Sequence, residues 1–293
     1  MPKIISKKDV RLPKRNSESH KGQNGNVLVV GGSEEYVGAV ALAGIAALRS
    51  GADLVNVASP EKTAWAINCL YPDLITTKIK GKFFTEENCS QIKKLMLKLD
   101  VLLIGNGIGL KEETKKFCKK TIKDSSGKLK VIDADAIKSI SMHDCENSIV
   151  TPHLKELEYF LKNSNIGNAI IAKIINEKSI EAKAIGIKKI VKKFLEKNNV
   201  ILVKGKIDCI ITKNNIYFNK TGNSGMTKGG TGDVLAGLCA GFLSQSRNLS
   251  QSSINAAYFN GLIGDILLKK KKGFTYLASD MAEEIEKICG KWD

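Results

Sequence analysis

The chain predicts an α/β fold: one doubly wound, mainly parallel sheet with helices on both faces and an antiparallel hairpin toward one edge. Three observations predict it. Short apolar runs alternate with longer stretches of helical periodicity, the pattern of successive strand–helix units. Each distinctive glycine-, aspartate- or histidine-bearing motif falls just after one of those runs, where the loops of an open α/β sheet border a common ligand crevice. And 293 residues with 43% hydrophobic content suffice for a full core.

Val27–Val30 is the first expected strand, and Gly31-Gly32-Ser33 leads from it into a small-residue helix over 38–50. Leu54–Ala58 is the second, with a helix over 61–70. Val101–Ile104 ends at Gly105-Asn106-Gly107-Ile108-Gly109, before a lysine-rich helix over 111–123. Lys130–Ile132 ends at Asp133-Ala134-Asp135, and Ile149-Val150 at Thr151-Pro152-His153, which opens a helix over 154–162. Helices are expected over 166–177 and 180–197, then a strand Val200–Val203 ending at Lys204-Gly205. Cys209–Thr212 and Ile216–Phe218 read as a hairpin about Asn214-Asn215. Helices over 231–245, 251–270 and 277–288 follow. No linker, repeat or low-complexity tract interrupts the pattern, so residues 25–293 are expected as a single domain behind a basic, partly ordered arm of residues 1–24.

The net charge of +16 comes from 42 Lys against 4 Arg. Sequence-reading nucleic-acid binders lean on Arg, and no RNP-like or zinc-finger pattern is present, so no specific nucleic-acid partner is expected. The lysines belong largely to solvated helix faces and would also attract a highly phosphorylated small ligand. Seven scattered cysteines, none in a Cys-x-x-Cys pair, fit reduced thiols in a cytoplasm. Neither a secretory signal nor a membrane-length apolar run is present, so a cytoplasmic protein with no membrane partner is expected.

Chemistry concentrates in residues 219–237, where Gly222, Gly225, Gly229, Gly230 and Gly232 run into the apolar pattern Val234-Leu235-Ala236-Gly237-Leu238. Glycines let backbone N–H groups converge, and the start of a helix adds free donors and its positive dipole end. Gly230, Thr231 and Gly232 therefore form a candidate anion hole for phosphate. Asp233 at its rim is a candidate base for phosphoryl transfer, or else a first-turn carboxylate on the helix dipole. Val30–Ser33 covers only half of a dinucleotide fingerprint, and Asp53 is the nearest counterpart to its acidic residue, so a Rossmann dehydrogenase is not expected. Gly38-Ala39 offers a bare surface for a flat ring or for tight helix packing. Asp133 and Asp135 could hold Mg²⁺ or cap the turn after them. His153 follows a strand through a proline-fixed turn and is placed to touch ligand. Lys204, at the end of Val-Ile-Leu-Val, is a candidate phosphate partner.

Taken in order, these segments resemble the ADP/ATP-dependent NAD(P)H-hydrate dehydratases, a branch of the ribokinase-like superfamily. The likeness runs over Lys21-Gly22, Gly31-Gly32-Ser33, Gly38-Ala39, Gly105–Gly109, Val131–Asp135, Thr151-Pro152-His153, Leu202–Gly205, Thr221-Gly222-Asn223 and Gly229–Gly237. Gly261-x-x-Gly264-Asp265 and Ala278-Ser279-Asp280 extend it. The resemblance implies a nucleotide-repair lyase that dehydrates the (S) form of 6-hydroxylated NADH or NADPH, using Mg²⁺ and ADP or ATP as phosphoryl donor and releasing phosphate. Position by position, it implies that Ala39, Gly107, His153 and Asp233 contact the hydrated dinucleotide. Lys204, Gly205, Lys206, Ile207, Asp208 and Gly232 would hold the nucleotide, with Asp233 as catalytic base and the 230–233 turn stabilising the transferring phosphoryl group. It leaves the metal ligands unassigned, leans toward ADP, and implies a homotetramer and a separate epimerase.

Asn106 and Ser224 stand where that family usually has Pro, and Asp208 where Thr is frequent. A small-molecule kinase of the same superfamily, of the hydroxyethylthiazole-kinase kind, is the alternative reading. A non-catalytic nucleotide-binding protein is a further one, which the intact Gly229–Asp233 run disfavours.

Overall fold

The computed structural model describes residues 2–271 and 273–290, so positions 1, 272 and 291–293 of the expected arm and domain lie outside the described residues. Its strands are β1 (Lys3–Ile4), β2 (Asn26–Val30), β3 (Leu54–Pro60), β4 (Ile75–Ile79) and β5 (Val101–Ile104), then β6 (Leu129–Ile132), β7 (Ser148–Val150), β8 (Val200–Val203), β9 (Asp208–Ile211) and β10 (Ile216–Asn219). They form one sheet in the order β1-β10-β9-β8-β7-β6-β5-β2-β3-β4. Every pairing is parallel except those of β9, which runs against both β8 and β10. That is the expected doubly wound sheet with its hairpin toward one edge. The N-terminal residues reach that edge, where β1 pairs with β10 and Ile5 and Val10 are buried.

The sheet is buried on both faces, which is why its strands read as unbroken apolar runs. Val27 and Val29 point into one core, Leu28 and Val30 into the other. On the first side lie α1 (Val37–Arg49), α2 (Glu61–Leu70), α10 (Thr231–Ser246), α11 (Leu249–Lys270) and α12 (Ala278–Cys289). The second carries α3 (Cys89–Met96), α4 (Glu112–Asp124), α5 (Ala134–Ile137), α6 (Leu154–Asn163), α7 (Asn168–Ile175), α8 (Ile180–Ile190) and α9 (Lys192–Glu196). All seven cysteines are free. Among the described residues, no helix is long and apolar enough to cross a membrane.

Four elements were not expected: the two-residue β1, the one-turn α5, strand β4 and helix α3. Strand β4, Ile-Thr-Thr-Lys-Ile, is a half-exposed edge strand with no apolar run to announce it. Helix α3 is a short amphipathic segment beneath a long connection. The helix expected over 180–197 is two, turning at Val191 so that Val191, Phe194 and Leu195 all reach the core.

Two features of the packing place the site. The strand order reverses between β2 and β5, so the chain leaves these two strands for helices on opposite faces, the switch point at which an open α/β sheet takes its ligand. Helix α10 lies backbone-to-backbone on α1. A Cβ at Gly237 would sit 2.3 Å from the Ala43 carbonyl oxygen, and one at Gly241 2.5 Å from that of Ala47. Glycine at both positions brings α10 close enough for its first turn to overhang the crevice.

Candidate active site

The crevice is built from strand ends. After β2, Gly32 donates its N–H to the Asn106 carbonyl at 2.8 Å, tying the Gly31–Ser33 turn to the Gly105–Gly109 loop after β5. Gly107 adopts φ 65°, and a Cβ there would lie 2.8 Å from Tyr36 Cβ and 3.1 Å from Ala39 Cβ. The loop therefore rests on the first turn of α1, and Ala39 and Gly107, distant in the chain, form one wall.

Asp133 follows β6 and is 1% exposed. Its Oδ1 accepts from Thr151 Oγ1 at 2.7 Å and Lys204 Nζ at 2.8 Å, and its Oδ2 from Asn106 Nδ2 at 2.9 Å. It makes no capping bond to α5. Asp135 turns the other way, accepting from the Gly109 N–H at 3.2 Å and Lys138 Nζ at 2.9 Å, and so braces the glycine loop from behind.

After β7, Pro152 and His153 bridge to β8: the Pro152 carbonyl accepts the Lys204 N–H at 2.8 Å. His153 caps α6, its Nδ1 accepting from the Lys155 and Glu156 N–H groups at 3.2 and 3.3 Å. That assignment puts the ring proton on Nε2, 3.3 Å from Glu156 Oε1. Burial holds the imidazole below its ordinary pKa, with Glu156 opposing. Glu156 reaches back to the His153 N–H at 2.9 Å and lies 3.5 Å from Lys204 Nζ. Burial would strip the proton from Lys204, but the Asp133 and Glu156 carboxylates outweigh it and hold the ammonium above its usual range.

The turn Gly205-Lys206-Ile207 after β8 is open to solvent on one side. Both oxygens of Asp208 are engaged, by the Gly205 N–H at 3.1 Å and Asn219 Nδ2 at 3.1 Å, so its side chain fixes this turn. Burial pushes its carboxyl up to about 6.

The 219–233 loop comes over the top. Asp265 of α11 accepts from the Gly222 N–H and Asn223 Nδ2, and Tyr276 donates to Asn223 Oδ1 at 2.7 Å. Gly230, at φ 95°, is the N-cap of α10 and has no side chain to satisfy the helix's first donors. Thr231 spends its hydroxyl on the Met226 and Lys228 carbonyls, at 2.7 and 3.0 Å, so only its N–H is left for an anion. Gly232 sits where a Cβ would be 3.6 Å from Lys204 Nζ, so that ammonium and the helix start face the same space.

Asp233 closes the set. Its Oδ1 accepts from Asn106 Nδ2 at 2.7 Å. Burial first, and the neighbouring Asp133 charge second, push its carboxyl up to about 7, although Asn106 and Lys204 pull the other way. A carboxyl that titrates near neutrality beside free N–H donors and a lysine can take a proton from a hydroxyl while phosphate is held alongside.

The structure thus gathers Ala39, Gly107, His153, Lys204, Gly230, Thr231, Gly232 and Asp233 around one crevice, with residues 205–208 at its rim. Sequence reasoning passed over Asn106, Thr151 and Glu156 as interacting groups. For Glu156 a signal existed: it stands three residues after His153, the spacing of a capping pair at the start of a helix.

The profile of the family described as NAD(P)H-hydrate dehydratase matches residues 27–287. A bifunctional NAD(P)H-hydrate repair enzyme of Methanocaldococcus jannaschii is 39% identical over 281 residues, covering 94% of this chain and 50% of that protein. An ADP-dependent (S)-NAD(P)H-hydrate dehydratase of Nitrosopumilus maritimus is 35% identical over 288 residues, covering 96% of this chain and 94% of its own length. The chain thus spans about half the length of the bifunctional relative. In fold it resembles the ADP/ATP-dependent NAD(P)H-hydrate dehydratase from Bacillus subtilis co-crystallised with ATP and Mg²⁺, with a TM-score of 0.81 at 23% identity, covering 100% of this chain and 99% of that one.

Proposed function

The chain belongs to the NAD(P)H-hydrate dehydratase family, and from that premise we propose that it returns the (S) form of hydrated NADH and NADPH to NADH and NADPH, with ADP or ATP as phosphoryl donor. The hydrated nicotinamide ring lies against Ala39, Gly107 and the His153 edge. The nucleotide's phosphates lie on the start of α10, with Lys204 as point charge and Gly205–Asp208 along the flank.

Asp233 takes the proton of the ring hydroxyl as that oxygen bonds to the terminal phosphorus. The bond from phosphorus to the nucleotide breaks, leaving AMP from ADP or ADP from ATP. The Thr231–Asp233 N–H groups and Lys204 stabilise the charge on the transferring group. Phosphate then leaves the ring carbon, and loss of a proton from the adjacent carbon restores the double bond. The observation that carries this reading is Asp233 itself: a half-buried carboxyl, hydrogen-bonded by Asn106 and pushed up to about 7, at the start of a glycine-capped helix.

Among the described residues, no group of three or more His, Cys, Asp or Glu could cage a metal. Mg²⁺ needs no such cage, because it is held largely by phosphate oxygens and water. Bound there, the ion would offset phosphate charge.

The test is to supply hydrated NADH with Mg²⁺ and either ADP or ATP, and to follow NADH absorbance and phosphate release. Regeneration that needs nucleotide and releases one phosphate per NADH supports the proposal; equal regeneration without nucleotide overturns it. ADP should serve better, as the name of the Nitrosopumilus relative suggests. Because a site with one base on one face takes one epimer, a mixture of epimers should stop short of completion until a separate epimerase is added. The reading places the protein in the cytoplasm as a homotetramer, which its sedimentation would check.

A further inference from the structure

Asn106 is 0% exposed and lies beneath the floor of the crevice. Its backbone is held tightly: its carbonyl accepts the Gly32 N–H, and a Cβ at Gly31 would come within 2.4 Å of that same oxygen. The side chain reaches across the strand ends, and its single Nδ2 donates to Asp133 Oδ2 at 2.9 Å and to Asp233 Oδ1 at 2.7 Å. Because both partners are carboxylates, only the amino end of the amide can face them. The other end, Oδ1, is buried with no partner. Buried unpaired acceptors are rare, and one is tolerated where the rest of the group is held by stronger demands. Here the demand is plain: two carboxylates one nitrogen apart, each taking one N–H.

We propose that Asn106 is the positioning residue of the base: it clamps Oδ1 of Asp233, turns Oδ2 toward the substrate hydroxyl, and separates Asp233 from Asp133. This rests on the reading of Asp233 as base. The charged and titratable groups facing Asp233 are Asp133 at the end of β6, Lys204 at the end of β8, and Glu156 at the start of α6. Of these neighbours, Lys204 and Asn106 favour the ionised carboxylate, while Asp133 and Glu156 oppose it. Without the amide, Asp233 loses the donor that fixes its rotation and meets the Asp133 charge directly. The base would then be both misaligned and ionised only at higher pH.

The experiment uses Asn106→Ala, which removes both donors, and Asn106→Ser, which keeps one hydroxyl donor and less cavity. Three quantities are read: ADP affinity, the pH dependence of kcat/KM for hydrated NADH, and the titration of the Asp233 carboxyl carbon by NMR. Asn106→Ala should lower kcat about 10- to 100-fold, the range in which a misplaced catalytic group costs rate. ADP affinity should stay within about twofold, because no phosphate donor is removed. The acid limb of the pH profile and the Asp233 titration should rise together by about half a unit or more, the effect of losing a hydrogen bond to the charged form. Asn106→Ser should fall between Asn106→Ala and the unaltered protein.

An unmoved limb and unmoved titration, with only a lowered melting temperature, would overturn the proposal and leave Asn106 a packing residue. If Asn106→Ala does not fold, Asn106→Ser decides by the same criteria. If the unaltered protein fails to dehydrate hydrated NADH, the dehydratase reading falls, while the NMR titration still decides whether Asn106 governs Asp233.

Discussion

Asp53 and Asp233 are both half-buried aspartates at opposite ends of one sheet, and their pKa values shift in opposite directions. Asp53 precedes β3. Burial would raise its pKa, but it accepts the N–H groups of Gly22 and Asn24 at 2.8 and 2.9 Å, the Asn24 amide, and the Arg15 guanidinium at 2.8 Å. Those donors hold it below the ordinary carboxylate value. Asp233 has Asn106 as its hydrogen-bond donor and Asp133 as a like-charged neighbour, and rises to about 7.

The buried lysines repeat the contrast. Lys130 donates to the carbonyls of Ser125 and Lys128, and burial lowers its pKa. Lys204 faces two carboxylates and is held protonated. Burial acts with the same sign at both ends of the sheet, so the partners decide. At the lower end they satisfy backbone and close the fold; at the upper end they leave Asp233 short of donors, as the base proposed for it requires.

The sharpest way to break this contrast is Asp233→Asn. If Asp233 is the base, turnover should fall about 10²–10⁴-fold, the usual worth of positioned acid–base catalysis, with ADP affinity kept or tightened. Stability supplies an independent sign. The folded pKa of Asp233 is raised from 3.8 to about 7, so its favourable contribution is complete below 3.8 and lost as pH rises through 7. The variant should therefore melt higher than the unaltered protein in alkaline buffer, and that advantage should shrink on acidification. Near-normal turnover would return Asp233 to the role of a first-turn carboxylate.

Next in size is Lys204→Met. It leaves Asp133 and Glu156 buried without their shared cation, and breaking such a pair costs about 3–5 kcal/mol of stability. Loss of a phosphate partner should also weaken ADP binding by about 1.5–3 kcal/mol, the worth of a charge-assisted hydrogen bond. Calorimetry of binding and unfolding separates the two effects. A destabilised variant with unaltered ADP affinity would make Lys204 purely structural.

The smallest effect belongs to the lower end. Asp53→Asn removes a carboxylate that ties residues 22–24 to the start of β3, and should cost about 1–3 kcal/mol with turnover unchanged. Because its folded pKa is depressed below 3.8, its contribution exists above that value and is lost as pH falls through the folded one. The difference from the unaltered protein should vanish in strong acid. A turnover loss matching that of Asp233→Asn would erase the distinction between the two ends.

Much of this was legible in order along the chain. Val27–Val30, Val101–Ile104 and Val200–Val203 announce strands because residues buried on both faces are apolar without interruption. Gly229–Gly232 announces the bare start of α10, with Gly230 at its N-cap, because a helix start without side chains leaves its first donors uncapped. Edge strand β4 was not legible, since a strand half in water needs no apolar run. Nor could spacing separate Asp133 from Asp135: two residues apart in one turn, one faces Lys204 and the other Lys138.

The sequence by itself determined the strand–helix alternation, the glycine-capped start of α10, and which loops would meet at the carboxyl ends of the strands, because these follow from local backbone freedom and from periodic burial. Only the tertiary structure decided what each charge does. Asn106 and Asp233 are 127 residues apart, and Asp133 and Lys204 are 71 apart. A carboxyl becomes a base or a brace through the donors and charges that packing places within 3 Å of it, and those come from strands and helices distant in the chain.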